Sequence, residues 1–140
     1  MFLLIDTTPE KGFGLALGKP ETAGPLFLVR EDFDSPSDDL LVKIEKFLKK
    51  NKVPVAKLAG IALVGGRSFT QTRTAASVAN AIGFFKNIPV AVIAPSTNIG
   101  AEADKALRGK SGYAPVRPVY LAKPNITRPK RRNLVIKRRS

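Results

Sequence analysis

The sequence contains neither histidine nor cysteine. Those two absences exclude Ser-His-Asp and Cys-His nucleophilic catalysis, thiolate chemistry, disulfides, and every zinc site built on imidazole or thiolate. Whatever chemistry survives must run on carboxylates, lysines or hydroxyls. No apolar run is long enough to span a bilayer, because charge or glycine interrupts each one. The first six residues, Met-Phe-Leu-Leu-Ile-Asp, lack the basic start and small-residue cleavage site of a signal peptide and read as a first strand. With no thiol to indicate a redox compartment, the missing signal sets the expectation of a cytoplasmic protein with no membrane partner.

What is present is a chain of 140 residues, 44% hydrophobic and 25% charged, ordinary usage for one globular domain. Lysine and arginine number 24 against 11 acidic residues, a net charge of +13. Such a field attracts polyanions or an acidic protein partner and says nothing about fold. The excess is uneven. Residues 123–140 hold 8 basic and 0 acidic residues, which leaves 16 basic against 11 acidic residues, a net +5, for residues 1–122. The division expected is one domain over 1–122 and a basic tail over 123–140, part of it disordered.

Short apolar runs at 2–5, 13–17 and 26–29, separated by turn-rich stretches too short for a crossover helix, predict three antiparallel strands joined as hairpins. The period then shifts toward 3.6. Ser35 as N-cap, Pro36 at the first helical position and Asp38 near the free amides predict a helix start. Leu40, Leu41, Ile44, Phe47 and Leu48 form one apolar stripe, and Lys46, Lys49, Lys50 and Lys52 suit the far end of the dipole. Residues 58–64 contain no polar side chain, as expected of a strand buried on both faces. An Ala-rich helix over about 70–87, a strand over 89–93, and a third helix capped by Ser96 or Thr97 and reaching Leu107 follow. Residues 116–121 read as extended, and 134–136 as a further short strand. The fold class expected is therefore α/β: a mixed five-stranded sheet, three antiparallel hairpin strands then parallel strands, flanked by three helices.

The junction at 64–73, Val-Gly-Gly-Arg-Ser-Phe-Thr-Gln-Thr-Arg, leads from a buried strand through glycines into a helix with hydroxyls at its start. Amides there can cradle an anion. No Gly-Lys-Ser/Thr follows at P-loop spacing, and the same residues also make a plain tight turn with a capping hydroxyl. Strand one ends on Asp6, Thr7 and Thr8. The second helix carries Ala75, Ala79 and Gly83 at i, i+4 and i+8, a small-residue ridge that admits close packing against its own sheet or against a partner helix.

Taken together these pieces resemble the TsaB family, the glycoprotease-like (M22-type), actin-like partner subunits of threonylcarbamoyladenosine biosynthesis on tRNA. That family opens on a strand ending Ile-Asp-Thr-Ser, answered here by Ile5, Asp6, Thr7 and Thr8. Its signature Gly-Pro-Gly-Ser-Phe-Thr-Gly-Leu-Arg is answered at Gly65, Ser68, Phe69, Thr70 and Arg73, while Gly66, Arg67, Gln71 and Thr72 depart from it. Pro118, Val119, Tyr120 and Leu121 resemble the Pro-Val-Tyr-Leu segment near the end of many members. The resemblance covers about residues 1–97 and 118–121, and the second lobe that members carry between those parts is replaced by about twenty residues. It implies one lobe of the actin-like, ribonuclease H-like ATPase fold. In that large fold the first-strand acid organises metal and phosphate, so Asp6, Thr7, Gly65, Gly66, Arg67, Ser68, Thr70 and Arg73 are the residues expected near a phosphate or nucleotide.

The function the resemblance implies is that of a non-catalytic subunit, with no cofactor bound by this chain alone. The working site, ATP and metal belong to partners: a TsaD-type transferase in a heterodimer, and a TsaE-type ATPase. Docking on the TsaD-type protein is expected through the first two helices, at Leu40, Lys43, Phe47, Ala75, Ala79 and Gly83, with a homodimer when the partner is absent. In the tail, Lys123, Arg128, Lys130, Arg131, Arg132, Lys137, Arg138 and Arg139 have the charge to contact tRNA phosphates, although no aromatic residue follows Tyr120 to stack on bases. Two other classes remain open: a stand-alone basic RNA-binding or ribosome-associated module, and a small hydrolase, for which neither a metal set nor a nucleophile with a base stands out.

Overall fold

A computed structural model describes residues 1–9, 11–19, 26–34, 39–66, 69–95 and 98–117. The basic tail, residues 118–121 of the segment expected to be extended over 116–121, the expected strand at 134–136, and the expected cap residues Ser35, Ser96 and Thr97 lie outside the described residues.

Five strands form one sheet: β1 (Phe2–Asp6), β2 (Phe13–Lys19), β3 (Leu26–Phe33), β4 (Gly60–Val64) and β5 (Val90–Ile93), in the order β3-β2-β1-β4-β5. The first three pair antiparallel, and β4 and β5 run parallel to β1. This is the mixed sheet that the sequence predicts. The parallel strands require helical crossovers, supplied by α1 (Leu40–Lys50) between β3 and β4 and α2 (Phe69–Lys86) between β4 and β5. Every residue of β1 and β4 is buried, which explains why both are apolar throughout except for Asp6 at the end of β1.

Side chains alternate across the sheet, so β1, β2, β4 and β5 each feed two separate cores. Leu3, Ile5, Leu15, Leu17, Ile61 and Leu63 pack with α1 and α2 on one face. On the other, Phe2, Leu4, Ala16, Ala62, Val64 and Ile93 pack with α3 (Ile99–Leu107).

On α1, Leu40, Ile44, Phe47 and Leu48 are buried, whereas Leu41 is 58% exposed and does not belong to the inward stripe. It stands two turns before Leu48 on the same side of the helix, at the edge of the contact, where a groove opens toward Ile82 and Phe85 of α2. The described helix begins at Leu40 with Asp39 in the cap position and no side-chain cap, and the expected start over 35–38 lies outside the described residues. On α2, Ala75, Ala76 and Ala79 are buried in the same core. A Cβ added to Gly83 would lie 2.4 Å from Val90 Cγ2 and 2.8 Å from Tyr113 Cδ1. The small residues therefore let α2 sit close on its own sheet.

The last described segment runs along α2. Asn80 donates through Nδ2 to the carbonyl of Val116 at 2.9 Å and accepts the Val116 amide on Oδ1 at 3.0 Å. Tyr113 meets Phe84 edge to face, with ring centroids 5.8 Å apart.

Asn98 caps α3, not Ser96 or Thr97: its Oδ1 accepts the Ala101 amide at 3.3 Å. Asn98→Ala is expected to cost about 1 kcal/mol in a urea-unfolding measurement, the usual worth of an N-cap.

Candidate functional site

In α/β sheets, ligand sites gather at the carboxyl ends of the parallel strands. Here that edge holds the end of β1 and the turn from β4 into α2, and the strand alternation divides its residues between two faces.

Thr7 turns toward α2. Its hydroxyl donates to the Val64 carbonyl at 2.6 Å, its amide reaches the same oxygen at 3.2 Å, and its Oγ1 lies 3.3 Å from Thr72 Oγ1. The Gly66 amide donates to Thr72 Oγ1 at 3.2 Å. A Cβ on Gly66 would lie 1.8 Å from the Thr7 carbonyl oxygen, so only glycine allows the two backbones to approach this closely. Thr7 is 1% exposed and Thr72 0%. The three residues form a closed knot that ties β1, the β4 turn and α2 together by buried hydrogen bonds. Thr72 was not among the expected site residues. Its signal is the hydroxyl-rich run Thr70, Thr72 and Thr74, in which nothing but the helical phase distinguishes the inward hydroxyl.

Asp6 turns to the opposite face and is 3% exposed. Its Oδ1 accepts the Thr8 amide at 2.9 Å and the Thr8 hydroxyl at 2.6 Å, while Oδ2 accepts from Arg30 Nη2 at 2.8 Å. Arg30 comes from β3 and also donates to Asp32 Oδ1, at 3.2 Å through Nε and 2.8 Å through Nη2. Burial pulls the guanidinium pKa down, but the hydrogen bonds and negative charges of Asp32 and Asp6 outweigh that and leave it raised.

The residues expected near a phosphate therefore do not converge. Asp6 and Thr7 face opposite ways, and Gly65 and Gly66 are buried. Thr70 and Arg73 are exposed and line a shallow groove with Thr74 and Ser77 along α2. Arg67 and Ser68 lie outside the described residues, as do Arg128, Lys130, Arg131, Arg132, Lys137, Arg138 and Arg139 of the expected tRNA-binding set.

The expected docking residues need a larger correction. Leu40, Phe47, Ala75 and Ala79 are at most 1% exposed and belong to the core beneath α1 and α2, and Gly83 is buried against Val90 and Tyr113. None of the five can touch a partner. Lys43 is half-buried, 5.7 Å above the Phe33 ring and 4.0 Å from Asp39. What these helices do expose is different: Leu41 and Val42 of α1, at 58% and 48%, and Phe84 and Phe85 of α2, at 73% and 80%. A groove between the helices is lined by Leu41, Ile44, Leu48, Ile82 and Phe85, with Glu45 and Lys86 also on its lining.

Neither models of protein families nor curated proteins match the sequence. Solved structures do. A crystal structure of an uncharacterized protein with similarity to the peptidase YeaZ, from Pseudomonas aeruginosa, aligns over 67% of this chain and 44% of its own, with 22% identity and a TM-score of 0.52. YeaZ from Pseudomonas aeruginosa aligns over 66% of this chain and 44% of its own, with 24% identity and a TM-score of 0.51. The fold is shared with YeaZ. The shared part is the mixed five-stranded sheet with its helices, and the chain spans less than half the length of the YeaZ structures it matches.

The resemblance read from the sequence places metal and phosphate at the first-strand acid, and the residues here do not fit that group. Thr8 occupies Asp6 Oδ1 twice over, and Arg30 brings a fixed positive charge to Oδ2. Among the described residues no three carboxylates gather to hold an ion. No described helix is long and apolar enough to cross a membrane.

Proposed function

We propose that this chain is an accessory subunit of the machinery that makes threonylcarbamoyladenosine on tRNA, docking on a TsaD-type transferase and sustaining its active form while catalysing nothing itself. The observation that carries the reading is the fold shared with YeaZ, the protein also called TsaB, together with the Ile-Asp-Thr-Thr and Ser-Phe-Thr segments of the sequence that resemble the family's motifs. ATP and metal then belong to the partners, a TsaD-type protein and a TsaE-type ATPase, and the setting is the cytoplasm. The basic tail supplies contacts to tRNA phosphates, with the salt dependence of counterion release.

The docking face is the outward side of α1 and α2. Four large apolar side chains project there from two neighbouring helices, more than a solvated surface of this size needs. Two partner helices laid across it would bury Leu41 and Phe85 at the centre, and without a partner the same face can pair with a second copy. Leu41→Glu combined with Phe85→Glu is expected to weaken binding to a TsaD-type protein at least ~100-fold by titration calorimetry, with the melting temperature unchanged, since central apolar anchors are commonly worth ~2 kcal/mol each. Unaltered affinity would remove this face from the reading.

The net charge of +13 favours one other reading, a stand-alone basic RNA-binding or ribosome-associated module. Co-purification separates the two: a stoichiometric TsaD-like protein for the subunit, heterogeneous nucleic acid for the module.

A further inference from the structure

Asp6, Gly14 and Asp32 lie in one row across three strands, because Asp6 pairs with Gly14 on β2 and Gly14 with Asp32 on β3. Directly opposed residues share a face, so both carboxylates project on the same side with a glycine between them. Arg30 is two residues before Asp32 on β3 and shares that side. Its guanidinium crosses the gap, and a Cβ on Gly14 would lie 2.4 Å from Arg30 Nη2 and 2.6 Å from Asp32 Oδ1. The missing side chain at Gly14 is the space that lets one cation bridge two acids.

We infer that Arg30 is a built-in counter-cation that closes the Asp6–Asp32 pair to divalent metal, so that this lobe cannot recruit a metal-bound phosphate through its first-strand acid. Two physical facts support it. The Arg30 Nη2 atom lies 2.8 Å from both Asp6 Oδ2 and Asp32 Oδ1, and a metal seated on either oxygen would meet the guanidinium charge at contact distance. Asp6 has no oxygen left to offer instead, since Thr8 holds Oδ1 by two hydrogen bonds. Unlike a bound ion, the guanidinium cannot dissociate, and it stays charged at every physiological pH. The inference concerns this chain alone and stands whether or not the docking face finds its partner.

Manganese provides the test, read as paramagnetic broadening of amide signals in the NMR spectrum of the full chain. In the wild type, millimolar Mn²⁺ is expected to leave the Gly14 and Asp32 amides no broader than exposed amides elsewhere. Arg30→Gln should introduce saturable broadening at both, Arg30→Lys should keep the pair closed, and adding Asp6→Asn to Arg30→Gln should abolish the gain. Saturable broadening at Gly14 in the wild type that Asp6→Asn removes would overturn the proposal, and so would a folded Arg30→Gln protein that gains none. The Arg30 side chain is 39% exposed, so the substitution should leave the fold intact. If it does not, the wild type and Asp6→Asn decide alone: broadening that depends on Asp6 refutes closure, and its absence sustains it.

Discussion

Ala79→Arg is expected to unfold the protein. Ala79 is 0% exposed in the core between α2 and the sheet, among Ala75, Ala76 and Val90. An arginine there would overfill the contact and strand a charge in the apolar core, at a cost of several kcal/mol. A domain of this size is stable by only about 5–15 kcal/mol, so most of the margin would go. Circular dichroism should show loss of the cooperative melt or a steep fall in midpoint. Ala81→Arg, on the exposed side of the same helix, should melt like the parent. If Ala79→Arg instead stayed folded with its melting temperature unchanged, the small-residue ridge would have to face outward after all.

Gly66→Ala is the second large effect. The added Cβ would fall 1.8 Å from the Thr7 carbonyl oxygen, and that oxygen belongs to backbone held from both sides. Thr7 is anchored to Val64 through its amide and hydroxyl, and Gly66 is itself held by Thr72, so relief requires the β4 turn to move and break buried hydrogen bonds. The expected loss is about 3 kcal/mol, or a fall in melting temperature of roughly 10 °C. Urea titration checks it. A variant as stable as the wild type would mean that the turn has slack, and with it the room to open around an anion that the knot denies.

Much of the fold could be read from the residues because local pattern and tertiary role agree. The unbroken apolar run at 60–64 is a strand flanked on both sides by other strands and covered on both faces, and buried Leu40, Ile44, Phe47 and Leu48 follow the helical period. The α3 cap moved from a hydroxyl to Asn98 because three consecutive capping residue types stand there, and only the backbone angle decides among them. The site was less legible. A stripe of alanines and a glycine has the same spacing whether it meets a partner or its own sheet. Gly83 was decided by Tyr113, thirty positions along the chain, which no local pattern connects to it. Arg30 likewise stands 24 residues from Asp6, and only the β1-β2-β3 register brings them together across Gly14. Phe84 and Phe85 read as ordinary interior residues of a helix, and their exposure emerges only when the face of α2 that meets the sheet is known.

The twofold grip of Asn80 on Val116 bears on how short the chain can be made. Cutting after Gly112 would strip Tyr113 from Phe84 and leave the Asn80 amide in the middle of α2 with neither of its Val116 partners. A trimmed version for crystallisation or spectroscopy should therefore run at least through Arg117, even where deletion of the cationic end is the aim.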